Sequence, residues 1–149
     1  EKKYKVGVVG GAGTWGRHYL RAFAAREDCE VILVDRAGVR ARAFADHHGV
    51  ETVLDSLDDL LSGPVPDVVS AILPVSQTYG AVMACAEAGV KAISCEKPMA
   101  VELSHADEMV ETCRQQGIAL GCGTAYWEVP HLIEAAQWIS EGHIRVVAV

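Results

Sequence analysis

The sequence predicts an α/β domain built on a doubly wound parallel sheet, followed by the opening elements of a truncated second α+β domain. Three observations predict it. An apolar run, Tyr4-Lys5-Val6-Gly7-Val8-Val9, leads into the glycine-rich turn Gly11-Ala12-Gly13-Thr14-Trp15-Gly16. A helix-like stretch, His18 to Arg26, then gives way to a second apolar run that ends in an acid, Val31-Ile32-Leu33-Val34-Asp35. Beyond it, short apolar runs alternate with helical segments as far as residue 123, the alternation that builds a parallel sheet covered by helices on both faces.

The elements follow in order. Ala37 to His48 is an alanine-rich helix closed by Gly49, and Glu51-Thr52-Val53 is a short third strand. Ser56 to Leu61 reads as a helix with Ser56 or Asp55 as its N-cap. Asp67 to Leu73 is apolar nearly throughout, as a strand buried on both faces requires, and Pro74 stops it. Ser76 or Thr78 starts a helix that runs to Ala88, with Ala81, Val82, Cys85 and Ala88 at helical spacing and Gly89 as its end. Lys91 to Cys95 is the fifth strand, followed by Glu96-Lys97-Pro98. Leu103 to Gln116 is a helix with Ser104 as candidate cap and Gly117 as terminator, and Ile118 to Cys122 is the sixth strand. Gly123 to Pro130 is a loop with two aromatics, Tyr126 and Trp127. His131 to Glu141 is a helix, and Ile144 to Val149 an apolar strand. Residues 1–123 therefore form one domain of the Rossmann type, and 124–149 the junction and first elements of an incomplete C-terminal substrate domain.

The glycine turn carries the first functional signal. Gly11 permits the tight turn out of the strand, Gly13 lets the backbone approach a pyrophosphate, and Gly16 lets the helix lie close to the sheet. The helix N-terminus adds free N–H groups and partial positive charge. Asp35 stands 19 residues after Gly16, where a dinucleotide-binding unit places the acid that reads the adenosine ribose. Asp35 favours NAD because it repels a 2′-phosphate. Arg36 beside it keeps NADP as the alternative.

Composition narrows the classes. The chain has 149 residues, enough for one sizeable core, and a net charge of −7. That balance argues against nucleic acid or an anionic membrane as partner. No apolar run reaches the ~20 residues of a membrane span, and the start shows no signal-peptide pattern. Five scattered cysteines without a C-x-x-C pair read as reduced core thiols of a cytoplasmic protein, and no Cys or His pair has metal-ligand spacing.

Several stations together resemble one family. Gly11 to Gly16 with Asp35, Leu73-Pro74 after the fourth strand, Glu87-Ala88-Gly89, Cys95-Glu96-Lys97-Pro98-Met99-Ala100, and Ile139-Ser140-Glu141-Gly142-His143-Ile144 are similar to the N-terminal half of the Gfo/Idh/MocA-type oxidoreductases. The Glu-Lys-Pro station is the most specific of these, since the glycine motif is shared by many families. The resemblance implies hydride transfer between a nicotinamide cofactor and a sugar- or polyol-like substrate. Lys97 is then the catalytic residue, an acid–base group beside the reacting oxygen, and Glu96 orients it. Cofactor contacts fall to Gly11, Gly13, Thr14, Trp15, Gly16, Asp35, Arg36, Leu73, Pro74, Thr78 and Glu96, and substrate contacts to Tyr126 and Trp127.

The sequence departs from the family at Thr78, where a histidine is usual, and at Tyr126-Trp127, where an arginine is frequent. Trp127 serves either to stack on a sugar or to pack the domain junction. None of the six histidines follows an acid at the spacing of the family's catalytic histidine, which lies in the second domain. The start at Glu1 and the short length read as a fragment, with homo-oligomer contacts expected through the missing C-terminal sheet. A second class of function, a non-catalytic module that senses a dinucleotide or sugar, draws on Thr78 and Trp127. The Glu96-Lys97 pair favours the enzyme.

Overall fold

The computed structural model describes residues 3–123 and 129–146. Its elements are β1 (Tyr4–Val9), α1 (Gly16–Ala24), β2 (Cys29–Val34), α2 (Val39–His47), β3 (Thr52–Leu54), α3 (Leu57–Ser62), β4 (Val68–Ala71), α4 (Val75–Glu87), β5 (Ala92–Glu96), α5 (Leu103–Gln116), β6 (Ala119–Gly123) and α6 (Pro130–Ser140). The six strands form one parallel sheet in the order β3-β2-β1-β4-β5-β6. The chain reverses its direction of winding between β1 and β4, which pair from Val6↔Val68 to Val9↔Ala71. In open α/β sheets that is the place where ligands bind, beyond the C-terminal ends of the strands.

The period of two along each strand divides the core between the faces. Val6, Val8 and Leu33 pack with Leu20 of α1 and with Ala41 and Ala45 of α2. Val9, Ile32, Val34, Val69 and Ile93 point the other way, into a second cluster with Val82 and Cys85 of α4 and Met109 and Cys113 of α5. Leu20, Leu33 and Ile93 are completely enclosed. Burying each stabilises the fold by about 1.5–3 kcal/mol.

Most boundaries fall within two or three residues of the expected ones. Ser56 caps α3, accepting from the Asp59 N–H at 3.1 Å. Gly49, Gly89 and Gly117 end their helices at positive φ (69°, 85° and 68°), as expected of C-terminal glycines. Ser104, by contrast, lies inside α5, whose N-cap is Glu102 with no side-chain bond. Helix α4 begins at Val75 behind Pro74, so neither Ser76 nor Thr78 caps it. Ile144 to Val146 form no strand, because a strand exists through its ladder and no described residue pairs with them; 147–149 lie outside the described residues. No helix among the described residues is long and apolar enough to cross a membrane.

The turn out of β1 is made by Gly10, not Gly11. Gly10 has φ +77°, and a Cβ there would collide with the Ile72 carbonyl oxygen at the end of β4. Gly11 serves packing instead, since a Cβ there would run into the Leu33 side chain. Replacing Gly10 by alanine combines a left-handed backbone with a clash against main chain. The expected cost is roughly 3 kcal/mol of unfolding free energy, read from the midpoint of a urea titration; a loss under about 0.5 kcal/mol would show that the turn relaxes freely.

Candidate functional site

The site is assembled where strand ends and glycine turns meet. The Gly13 N–H donates to the Gly10 carbonyl at 3.0 Å, closing the turn that aims the chain into α1. Gly16 lies against that turn so closely that a Cβ would collide with the Gly10 carbonyl oxygen and come within 2.7 Å of the Gly11 Cα. Gly13 differs: its Cβ position meets only the Gly10 oxygen, at 3.1 Å. Helix α1 starts with no side-chain cap and no acid in its first turn. Its N-terminal N–H groups and dipole are therefore free of a competing anion from the chain, which suits a phosphate.

Asp35 follows β2 and joins two turns. Its Oδ2 accepts from the Ala12 N–H of the glycine turn at 2.9 Å, and its Oδ1 from the Ala37 N–H at 2.8 Å. Each oxygen retains a second lone pair for an outside hydroxyl. A cleft of about 550 Å³ opens beside it, lined by Gly10, Gly13, Asp35, Arg36, Leu73 and Pro74, among others. That volume lies in the range of small-molecule and cofactor sites. The polar lining positions that the sequence did not mark for the site are Asp55, Ser56 and Asp58 beyond β3, and Gln77 on α4. Their only signal was position, at the C-terminal edge of a parallel sheet.

The Glu96-Lys97 station stands at the same edge, at the end of β5, outside the lining of this cleft. Lys97 is exposed, its Nζ 5.9 Å from the centroid of the Trp15 ring, at the limit of a cation–π contact. Trp15 is 61% exposed. The Lys97–Pro98 peptide is cis. Glu96 does not bind Lys97. Its Oε1 accepts from the Tyr19 hydroxyl of α1 at 2.6 Å. Burial, then the bond to Glu96, pushes the Tyr19 phenol up to about 12. Sequence reasoning missed Tyr19, because nothing local names a partner 77 residues away.

Thr78 requires a correction. It is fully buried, and its hydroxyl turns back on the Pro74 carbonyl at 3.5 Å. It packs inside α4 and does not line the cleft. Of the other expected contacts, Gly11 and Gly16 are buried and shape the turn from within, while Thr14 is exposed at its rim. Tyr126 and Trp127 lie outside the described residues. No disulfide links the five cysteines, and burial pushes the Cys85 and Cys95 thiols up to about 12, which keeps them protonated and inert. Among the described residues no three His, Cys, Asp or Glu side chains are grouped to hold a metal ion.

Asp35→Ala removes the acceptor for two backbone N–H groups, one of them in the buried Ala12. We expect about 2 kcal/mol of lost stability in urea unfolding, and an unchanged midpoint would show that water replaces both bonds. The Tyr19 phenol gives a pH signature. Its folded-state value lies above the ordinary 10, so the stability it contributes is complete below pH 10 and is lost as pH rises toward 12. The alkaline decline of stability should be shallower in Tyr19→Phe than in the parent; equal slopes would remove Tyr19 as a source.

Comparison with known proteins places this geometry. Residues 4–124 match the model of the GFO_IDH_MocA family, described as an oxidoreductase family with an NAD-binding Rossmann fold. D-apiose dehydrogenase of Paraburkholderia graminis is 32% identical over 120 residues, which are 80% of this chain and 32% of that protein. D-glucoside 3-dehydrogenase of Escherichia coli is 31% identical over 117 residues, 78% of this chain and 33% of that protein. The chain thus spans about a third of the length of the curated relatives it matches. The solved scyllo-inositol dehydrogenase of Lactobacillus casei, with bound NAD(H) and scyllo-inositol, shares the fold at a TM-score of 0.85 and 19% identity, over 96% of this chain and 42% of that one. The glycine turn, the acid after β2, the Glu-Lys-Pro station and the matched family model agree: this chain belongs to the Gfo/Idh/MocA oxidoreductases, as their NAD-binding Rossmann domain.

Proposed function

We propose that this domain serves a dehydrogenase that moves hydride between NAD(H) and a sugar- or polyol-like hydroxyl or carbonyl carbon. One observation carries the reading: a glycine turn under an uncapped helix, a ribose-type acid and a lysine at a strand end all stand on one edge of one sheet. The relatives named above, dehydrogenases of apiose, glucosides and scyllo-inositol, support the substrate class.

The bound nicotinamide supplies the hydride acceptor or donor. The chain supplies the rest. Backbone N–H groups of the glycine turn, with Thr14 and Trp15 at its rim, take the pyrophosphate. Asp35 would accept from the ribose hydroxyls with the lone pairs that Ala12 and Ala37 leave open, and Arg36, which lines the same cleft, would meet the adenosine end. Leu73 and Pro74 give an apolar wall that excludes water. Lys97 holds the proton at its Nζ when a carbonyl is reduced, and takes it from the hydroxyl in the reverse direction. Glu96 lies beside it as a cofactor-side carboxylate.

Residues 124–149 belong in this reading to the junction with a substrate domain, where Tyr126 and Trp127 stack on the sugar. The wider protein is a cytoplasmic homo-oligomer that uses neither nucleic acid nor membrane. The acidic balance and free thiols support that assignment.

Calorimetric titration tests the first half. NADH should bind, and NADPH should bind about tenfold or more weakly because its 2′-phosphate meets Asp35. Preference for NADPH would make Arg36 the ribose reader, and binding of neither would overturn the site. Lys97→Ala in the intact protein should cut turnover of its sugar substrate by about 10²–10⁴-fold and leave NADH affinity nearly unchanged. Surviving turnover would remove Lys97 from the chemistry. An intact protein that binds NADH and oxidises no member of a sugar and polyol panel would favour the sensing module.

A further inference from the structure

Glu96 and Lys97 are consecutive residues of opposite charge, and the family resemblance gives Glu96 the role of orienting Lys97. The structure separates them. Trp15 and Tyr19 stand four residues apart at the start of α1, so they lie one above the other on the same helix face. Lys97 lies over Trp15, and Glu96 is taken by Tyr19. A third element guards the arrangement. Gly123, at the end of β6, pairs in register with Glu96, and a Cβ there would come within 2.7 Å of the Tyr19 hydroxyl oxygen and 3.2 Å of the Glu96 Oε1. Three elements thus converge on one carboxylate, and the strand end has room for the Tyr19–Glu96 bond because β6 ends in glycine.

We propose that Tyr19 is a positioning residue for Lys97: by taking the Glu96 carboxylate, it denies Lys97 its nearest ion-pair partner and leaves the amine against Trp15, available to a substrate oxygen. The inference rests on reading Lys97 as the acid–base group of the proposed dehydrogenase. Its physical basis is competition for one acceptor. A half-buried phenol bound to a carboxylate at 2.6 Å fixes that carboxylate. Freed from the phenol, Glu96 would turn to the adjacent ammonium, favouring its charged form and lowering its reactivity. The other titratable groups around this pair are His18 on α1, whose ring lies 5.9 Å from that of Trp15, Cys95 beneath Glu96 on β5, and Cys122 on β6. Among the described residues the contact of the Lys97 amine is the Trp15 ring, so Glu96 is the group whose release changes its surroundings.

The test needs no substrate. The rate at which the Lys97 amine reacts with a small acylating reagent is followed by mass spectrometry of its peptide, from pH 7 to 10. In Tyr19→Phe the rate at pH 8 should fall by about fivefold, with the rise of the profile displaced to higher pH. In the double variant Tyr19→Phe/Glu96→Gln it should return to the parent value, which a purely structural loss would not produce. Gly123→Ala, which crowds the same bond, should reproduce the single variant and decides the matter if Tyr19→Phe fails to fold. Parent-like labelling in both Tyr19→Phe and Gly123→Ala would overturn the proposal, as would a slowing that persists without Glu96. Parallel NADH titration of the same proteins keeps the two readings apart: failure of NADH binding counts against the dehydrogenase and leaves the labelling result standing.

Discussion

Everything at this sheet edge depends on one backbone approach, that of α1 to the end of β1 with no side chain between them. Gly16 meets the Gly10 carbonyl and the Gly11 Cα, a separation that no Cβ can occupy. That contact fixes the angle at which the helix leaves the strand. It thereby sets where the N-terminal N–H groups point, and it brings the Ala12 N–H to Asp35 and the Tyr19 hydroxyl to Glu96. The glycines here act through what they leave empty.

Electrostatics at the edge follow the same logic of allocation. Asp35 divides its two oxygens between two turns and keeps a lone pair on each, so it braces the loop and leaves acceptor capacity open. Glu96 is committed to a phenol. Lys97 makes no ion pair among the described residues and lies on an exposed aromatic. Both carboxylates are bonded to the fold, and the amine is not.

How much of this was legible beforehand depends on range. Strand and helix type followed from apolar periodicity, and the helix ends from Gly49, Gly89 and Gly117, because capping is decided within a few residues. The glycine turn and Asp35 were legible because their spacing is itself the geometry. The assignment of the turn to Gly11 failed because the sequence cannot tell which member of a Gly10-Gly11 doublet takes positive φ; the neighbouring Ile72 carbonyl decides it. Thr78 was expected at the site on resemblance alone, and burial in α4 turned its hydroxyl inward. Tyr19 carried no signal because its partner is supplied by a strand that the topology, not the local sequence, brings near.

The winding reversal between β1 and β4 divides the sheet into halves that are contiguous in sequence, β1 to β3 and β4 to β6, whose strands meet in the ladder from Val6↔Val68 to Val9↔Ala71. The site is divided along the same line. The glycine turn and Asp35 belong to the first half, and Leu73, Glu96 and Lys97 to the second. Such a ladder, between segments about sixty residues apart, is entropically costly to close and rewards the chain only once both halves are shaped. A dinucleotide lying across the seam binds only the joined state, so its free energy adds to the cohesion of the halves as RT ln(1 + [L]/Kd). In this topology a dinucleotide bound at the switch point would be a tie between the two halves of the sheet as well as a ligand.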